Sequence, residues 1–230
     1  MAGPLALVGG GEFSEGCSFD AGLLEASGSH EVLVLPTAAA YEHPERLVER
    51  AVRWFDRLGA TARGLDLLAR PDALSDDLAA QVRASRFTYL AGGSPMHLRS
   101  VLKDSAVWDA LVAAWLDGGV LAGSSAGAMV LCDPMVDPRG GAFTLGLGVL
   151  RNLAIIPAHD HWSEEQAHRT RKMSPAGLVL AGVDERTALI RDADGTWRVD
   201  GAGEVAVFVG GEPTDLSVLA TLAEPTGVVD

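Results

Sequence analysis

Two serines sit side by side in a run of small residues, Gly123-Ser124-Ser125-Ala126-Gly127, directly after the apolar stretch Val120-Leu121-Ala122. The five residues fit G-x-S-x-G, the turn at which a strand bends sharply into a helix and holds a serine hydroxyl above the sheet edge. Glycines flank such a turn because its tight backbone leaves no room for a β-carbon. In that geometry Ser125 is the candidate nucleophile. The N–H of Ala126, near the positive end of the new helix, is aimed at an incoming carbonyl oxygen. Ser124 lies one residue too early for that role. Taken alone, the same residues suit plain packing of a helix on a strand equally well.

A nucleophilic serine needs a base, and the base needs an orienting group. Among the histidines, His30 precedes a strand, His43 sits beside a helix start and His97 lies in a helix, all places that suit structural roles. The apolar run Leu153–Ile156 is different, because it ends in Pro157-Ala158-His159-Asp160-His161-Trp162. Two histidines around an aspartate also raise a metal site, with Glu164 or His168 as further ligands. That spacing fits no metal signature, so no metal is expected. Asp184 and Glu185 precede the strand Thr187–Ile190 and either supply the third carboxylate or form a solvated acidic turn.

These groups need a scaffold that gathers strand ends. Short apolar runs alternate with helical stretches along the first part of the chain. Pro4–Val8 ends in three glycines, Glu31–Thr37 ends in Pro36, and Arg86–Gly93 ends in Gly92-Gly93. Between Pro44 and Leu58 the apolar residues Leu47, Val48, Ala51, Val52, Phe55 and Leu58 recur at helical spacing, with Pro44 suited to the first turn and Gly59 to the cap. Ser75, Ser94-Pro95 and Ser105 read as further helix starts. Strand–helix alternation predicts an α/β fold, a mostly parallel central sheet with helices on both faces. In such sheets ligands bind beyond the carboxyl ends of the strands, where the glycine clusters fall. Beyond about residue 140 the pattern shifts to strands, with Asp194-Gly195 as a hairpin turn, which predicts extra antiparallel strands toward the C-terminus.

The bulk properties narrow the field. The chain has 230 residues, of which 48% are hydrophobic and 21% charged, enough for one well-buried domain spanning 1–230 and unlike a disordered chain. A net charge of −13 repels phosphate backbones and anionic bilayers, which argues against nucleic-acid and membrane partners. No window approaches the apolar length of a membrane span, and the start lacks a basic leader, so a soluble, cytoplasmic protein is expected. Cys17 and Cys132 read as reduced thiols.

Four stretches then line up in order: Tyr89–Pro95, Gly123–Met129, His159–Trp162 and Gly182–Leu189. Together they resemble the dipeptidase E and cyanophycinase family of serine peptidases, which have a class I glutamine-amidotransferase-like fold. The resemblance spans roughly residues 5 to 210. It implies Ser125 as nucleophile, His161 as general base, and the N–H groups of Gly93 and Ala126 as the oxyanion hole. Glu185 matches the orienting acid of the cyanophycinase-like branch. In the dipeptidase E branch an aspartate soon after the nucleophile takes that part, and Asp137 is the nearest residue here. His159 and Asp160 are expected to shape the hydrogen bonds of the base or the substrate pocket. The resemblance implies a small peptide substrate, a preference for aspartyl peptides, no cofactor and a homodimer. An isoaspartyl peptidase or carboxypeptidase of the same family is the alternative.

Two departures stand out. The Gly92-Gly93 loop continues Ser94-Pro95, where the family usually carries Asn or Asp and then a polar residue, which makes any contribution of Ser94 to substrate binding an open point. The arginines that follow the histidine closely in cyanophycinases are matched only by Arg169 and Arg171, further downstream. Arginine forks suit carboxylates, so either could bind a substrate carboxylate; the alternative is a solvated helix face. An α/β-hydrolase esterase would place its acid between serine and histidine, and no histidine follows His168. An amidotransferase would need cysteine at position 125. The glycines after the first strand lack the sixth-position Gly or Ala of a dinucleotide fingerprint. A catalytically silent homologue that binds a small ligand is the rival from another class.

Overall fold

The computed structural model describes residues 1–139 and 141–223. In chain order the first part contains β1 (Leu5–Val8), α1 (Phe19–Ser27), β2 (Glu31–Leu35), α2 (Pro44–Arg57), β3 (Thr61–Gly64), α3 (Arg70–Ala73) and α4 (Asp76–Ala84). It continues with β4 (Phe87–Leu90), α5 (Pro95–Leu102), α6 (Ala106–Leu116), β5 (Val120–Ser124) and α7 (Ala126–Leu131). The helix starts follow capping chemistry. Ser75, Ser94 and Ser105 each accept a hydrogen bond from the backbone N–H three residues on.

The later part holds two short pairs, β6 (Cys132–Asp133) with β9 (Leu150–Arg151) and β7 (Met135–Val136) with β8 (Phe143–Thr144). After them come β10 (Leu153–Pro157), α8 (Glu164–Met173), β11 (Val179–Val183), β12 (Thr187–Arg191), β13 (Trp197–Gly201), β14 (Val205–Val209) and β15 (Glu212–Thr214). The main sheet has seven strands in the order β13-β12-β1-β5-β4-β2-β3. Strands β1 to β5 are mutually parallel, and β12 and β13 add antiparallel at one edge. The fold is therefore α/β with a mostly parallel sheet between helices.

Side-chain alternation explains the two faces. Leu5 and Leu7 of β1, Leu33 and Leu35 of β2, and Leu121 of β5 point into the core beneath α4–α7. Ala6, Val8, Val32, Val34, Val120 and Ala122 point into the opposite core, against Phe19 and Leu23 of α1 and Leu47, Ala51 and Phe55 of α2. A period of two in strands buried on both sides demands this division.

The C-terminal strands differ from the expectation in one respect. Only β12 and β13 extend the main sheet, joined by the turn expected at Asp194-Gly195. The others form a second sheet, β10-β11-β14-β15, in which β10 and β11 run parallel. Strand β11 is short, apolar throughout and buried on both faces, so it shows no alternation to mark it. Helix α1 is likewise quiet in sequence because Gly and Ser dilute its periodicity.

Candidate active site

The order of the main sheet places β1, β5 and β4 side by side, all pointing the same way. Their carboxyl ends carry Gly9–Glu12, the elbow at Ser125 and Gly92-Gly93. These loops meet in one cleft of about 710 Å³, which Ser125 lines.

Ser125 has φ 47° and ψ −106°, a left-handed conformation that serine rarely adopts. Its N–H donates to the Val8 carbonyl at 2.8 Å, pinning the elbow to β1. The motif's glycines are sterically required. A β-carbon on Gly123 would lie 2.6 Å from the Gly127 carbonyl carbon, and one on Gly127 would lie 2.3 Å from the Leu90 oxygen. The sharp elbow thus exists because β5, α7 and β4 touch backbone to backbone.

Gly93, with φ 138°, packs so closely that a β-carbon would sit 2.3 Å from the Ala38 oxygen. Among the described residues neither Gly93 N–H nor Ala126 N–H has a hydrogen-bond partner. The neighbouring N–H groups are occupied, Gly92 donating to Glu12 Oε1 and Ser94 to the Ala38 carbonyl. A β-carbon on Gly92 would fall 3.4 Å from Ser125 Cβ, which sets this loop against the nucleophile position.

His161 ends a short 3₁₀ turn, His159–His161, that follows β10. Ala158 anchors the turn by donating its N–H to the Gly9 carbonyl at 2.7 Å. The His161 side chain is exposed, with Nε2 3.5 Å from Asp160 Oδ2 and 3.9 Å from Glu185 Oε2. Asp160 in turn accepts the Glu185 N–H at 3.0 Å. Glu185 lines the cleft beside Gly10, where a β-carbon would be 4.0 Å from both Glu185 Oε1 and Ser125 Cβ. The serine, the histidine turn and the glutamate are thus gathered at one sheet edge. Ser125 Oγ makes no hydrogen bond among the described residues.

The remaining sequence candidates lie elsewhere. Ser94 spends its hydroxyl as the N-cap of α5, accepting from His97 N–H at 3.3 Å. His159 is half-buried under β11, its ring where a β-carbon on Gly182 would fall, and burial depresses its pKa. Arg171 stacks over the Phe208 ring at 5.0 Å, and Arg169 is exposed on α8. Neither arginine lines the cleft. Asp137 accepts three hydrogen bonds from Arg139, from Nε at 2.9 Å, Nη2 at 2.6 Å and the backbone N–H at 2.9 Å, which bring its pKa down to about 2.

Two features escaped the sequence reading. Glu12 lines the cleft, and its Oε2 accepts from the Ser124 hydroxyl at 2.8 Å. Helix α2 forms a wall of the cleft through Arg46, Arg50 and Arg53. Their spacing, continued by Arg57, is a visible stripe on the face away from Leu47, Ala51 and Phe55. Sequence showed the stripe but not what it faces. Among the described residues no group of three or more His, Cys, Asp or Glu side chains is placed to hold a metal ion. Among the described residues no helix is long and apolar enough to cross a membrane.

The profile of peptidase family S51 matches residues 5–196. The chain belongs to this family. Cyanophycinases from Trichormus variabilis and from a Nostoc species are each 28% identical over 200 residues, covering 81% of this chain and 64% of theirs. The chain therefore spans less than two thirds of the length of these S51 relatives. The crystal structure of a peptidase from an acI-B1 actinobacterium superposes with a TM-score of 0.84 at 31% identity, covering 93% of both chains. A putative peptidase E protein from Listeria monocytogenes shares the fold, with a TM-score of 0.63 at 16% identity over 88% of this chain and all of that one.

Proposed function

We propose that this S51 member is a serine peptidase acting on short peptides through an acyl-enzyme. The observation that carries the reading is the left-handed backbone of Ser125 on an elbow whose glycines cannot be replaced. Strain of that kind persists where surrounding structure enforces it, and it clusters at reacting groups.

In the reaction Ser125 Oγ attacks the peptide carbonyl and His161 takes the hydroxyl proton. The carbonyl oxygen, now negative, accepts from the unpartnered N–H groups of Gly93 and Ala126. His161 then protonates the leaving amine, and a water activated by the same imidazole resolves the ester. Glu185 orients the imidazole and stabilises its charged form. In the free protein Nε2 faces the carboxylates, so the imidazole turns toward Ser125 as substrate fills the cleft. Catalytic hydrogen bonds commonly tighten in this way only in the complex.

The family resemblance and the likeness to cyanophycinases support a preference for aspartyl peptides. The test is hydrolysis of Asp-Leu, Leu-Asp, β-Asp-Arg, an N-blocked peptide with free C-terminus and a simple ester, by the protein and by Ser125→Ala. Peptide cleavage that disappears in the variant is expected. Cleavage that survives, or cleavage of the ester alone, overturns the proposal.

A further inference from the structure

Helix α2 presents Arg46, Arg50, Arg53 and Arg57 along one stripe, at spacings of four, three and four residues. Such residues stack on the same face of a helix. The first three line the cleft that holds Ser125, and Arg57 lies beyond it. Arg53 faces Glu49, Nη1 to Oε2 at 3.8 Å. The side chains of Arg46 and Arg50 make no hydrogen bond or ion pair among the described residues. In a chain with 31 acidic and 18 basic residues, that leaves two guanidinium groups unmatched at the mouth of the candidate site.

The cleft also carries acids. Glu12 is committed to Gly92 N–H and Ser124 Oγ, Glu49 to Arg53, and Glu185 lies beside the histidine turn. Glu42 also lines the cleft. The two open guanidinium groups therefore lie on the α2 wall, and none of these acids is paired with them.

Their separation has a measure. Four residues of α-helix rise about 6 Å. In an extended peptide, side chains two residues apart point the same way and lie roughly 6.6 Å from each other. We propose that Arg46 and Arg50 recognise carboxylates on alternate residues of an extended peptide running along α2 past Ser125. The inference deepens the peptidase reading and rests on it for the ligand being a peptide. It moves carboxylate recognition from Arg169 and Arg171, which do not line the cleft, to α2.

The test uses calorimetric binding to Ser125→Ala protein, which separates recognition from turnover. The probes are Ala-Asp-Ala-Asp-Ala-Ala, its Asn counterpart, and Ala-Asp-Asp-Ala-Ala-Ala. Arg46→Ala and Arg50→Ala are each expected to weaken the first probe by roughly tenfold, as loss of a charge-assisted contact would. The Asn peptide binds more weakly than the first probe and is unaffected by either change, and the adjacent-Asp peptide binds less tightly than the spaced one. Arg57→Ala, which removes the same charge outside the cleft, leaves all three unchanged. Equal binding of acidic and Asn peptides, or an Arg57→Ala effect as large as that of Arg46→Ala, overturns the wall. Absence of turnover in the unmodified protein with this binding pattern intact overturns the peptidase reading only.

Discussion

Glu12 fastens Ser124 to the glycine loop beside it: one carboxylate oxygen accepts the Ser124 hydroxyl at 2.8 Å and the other the Gly92 N–H at 3.0 Å. The paired serines thereby divide their work. Ser125 turns toward the cleft, and fully buried Ser124 ties β5 to the loop after β4 through a residue of the loop after β1. Glu12→Ala strands two polar groups and is expected to cost about 2 kcal/mol in denaturant unfolding. It also slackens the Gly92-Gly93 loop, so kcat falls roughly tenfold while KM changes little. Glu12→Gln can still accept from Gly92 and donate to Ser124, and it retains most of both. Equal losses in the two variants would show that charge, and not the double hydrogen bond, is what matters.

The strained turn at Ser125 makes a prediction of opposite sign. Ser125→Gly relieves a left-handed backbone and is expected to raise stability by about 1 kcal/mol while abolishing hydrolysis. Ser124→Ala should lower stability by about 1 kcal/mol and leave most of the activity. Paired melting curves and rates on one peptide check both.

Gly93→Ala places a β-carbon against the Ala38 carbonyl. The loop must shift, and its N–H moves away from the oxyanion position. We expect kcat to drop by about 10²-fold, the scale of a lost oxyanion donor. A fall in kcat/KM caused by KM alone would remove Gly93 from that role.

Glu185 and Asp137 were the two carboxylates competing to orient the base. Asp137 is held by Arg139 well below the usual carboxylate range, whereas Glu185 lies 3.9 Å from His161 Nε2. Glu185→Gln is expected to lower kcat by about 10²-fold or more, and Asp137→Asn to leave it unchanged. Steady-state rates for the two variants decide between them.

Asp20 offers a test remote from catalysis. It is fully buried, its Oδ2 accepts from Trp54 Nε1 at 2.8 Å, and its Oδ1 has no partner among the described residues. Burial pushes its pKa up to about 8. The native state thus holds a proton that the unfolded chain, with a pKa of about 4, releases. The resulting stability is complete below pH 4 and is lost as pH rises through 8. Asp20→Asn should flatten the decline in unfolding free energy between pH 5 and 8. An unchanged slope would show that Asp20 is ionised in the fold.

The candidate site was legible where its chemistry is local. The elbow's glycines, the glycine loop and the acid before β12 are short signals at strand ends, and the sheet edge collects strand ends by construction. What stayed hidden depends on long-range packing. Glu12 acts through its distance to Ser124, and α2 shows its arginine stripe in sequence without showing that the stripe borders the cleft. Arg169 and Arg171 show the converse: they are near His161 along the chain, but neither lines the cleft and α8 turns Arg171 onto Phe208. The second sheet was missed because β10 and β11 pair across α8, and a short strand that is apolar on both faces carries no period.

Strand β1 lies inside the main sheet, bonded to β5 on one side and β12 on the other. During synthesis β1 therefore waits for Thr187–Arg191 before its pairing is complete. Non-local pairings of this kind form late. A growing chain that has already exposed Ser125 still lacks Glu185 and the strand that seats it. The proposed hydrolytic competence accordingly waits for the β12 segment, and products terminated before it would carry the serine without Glu185.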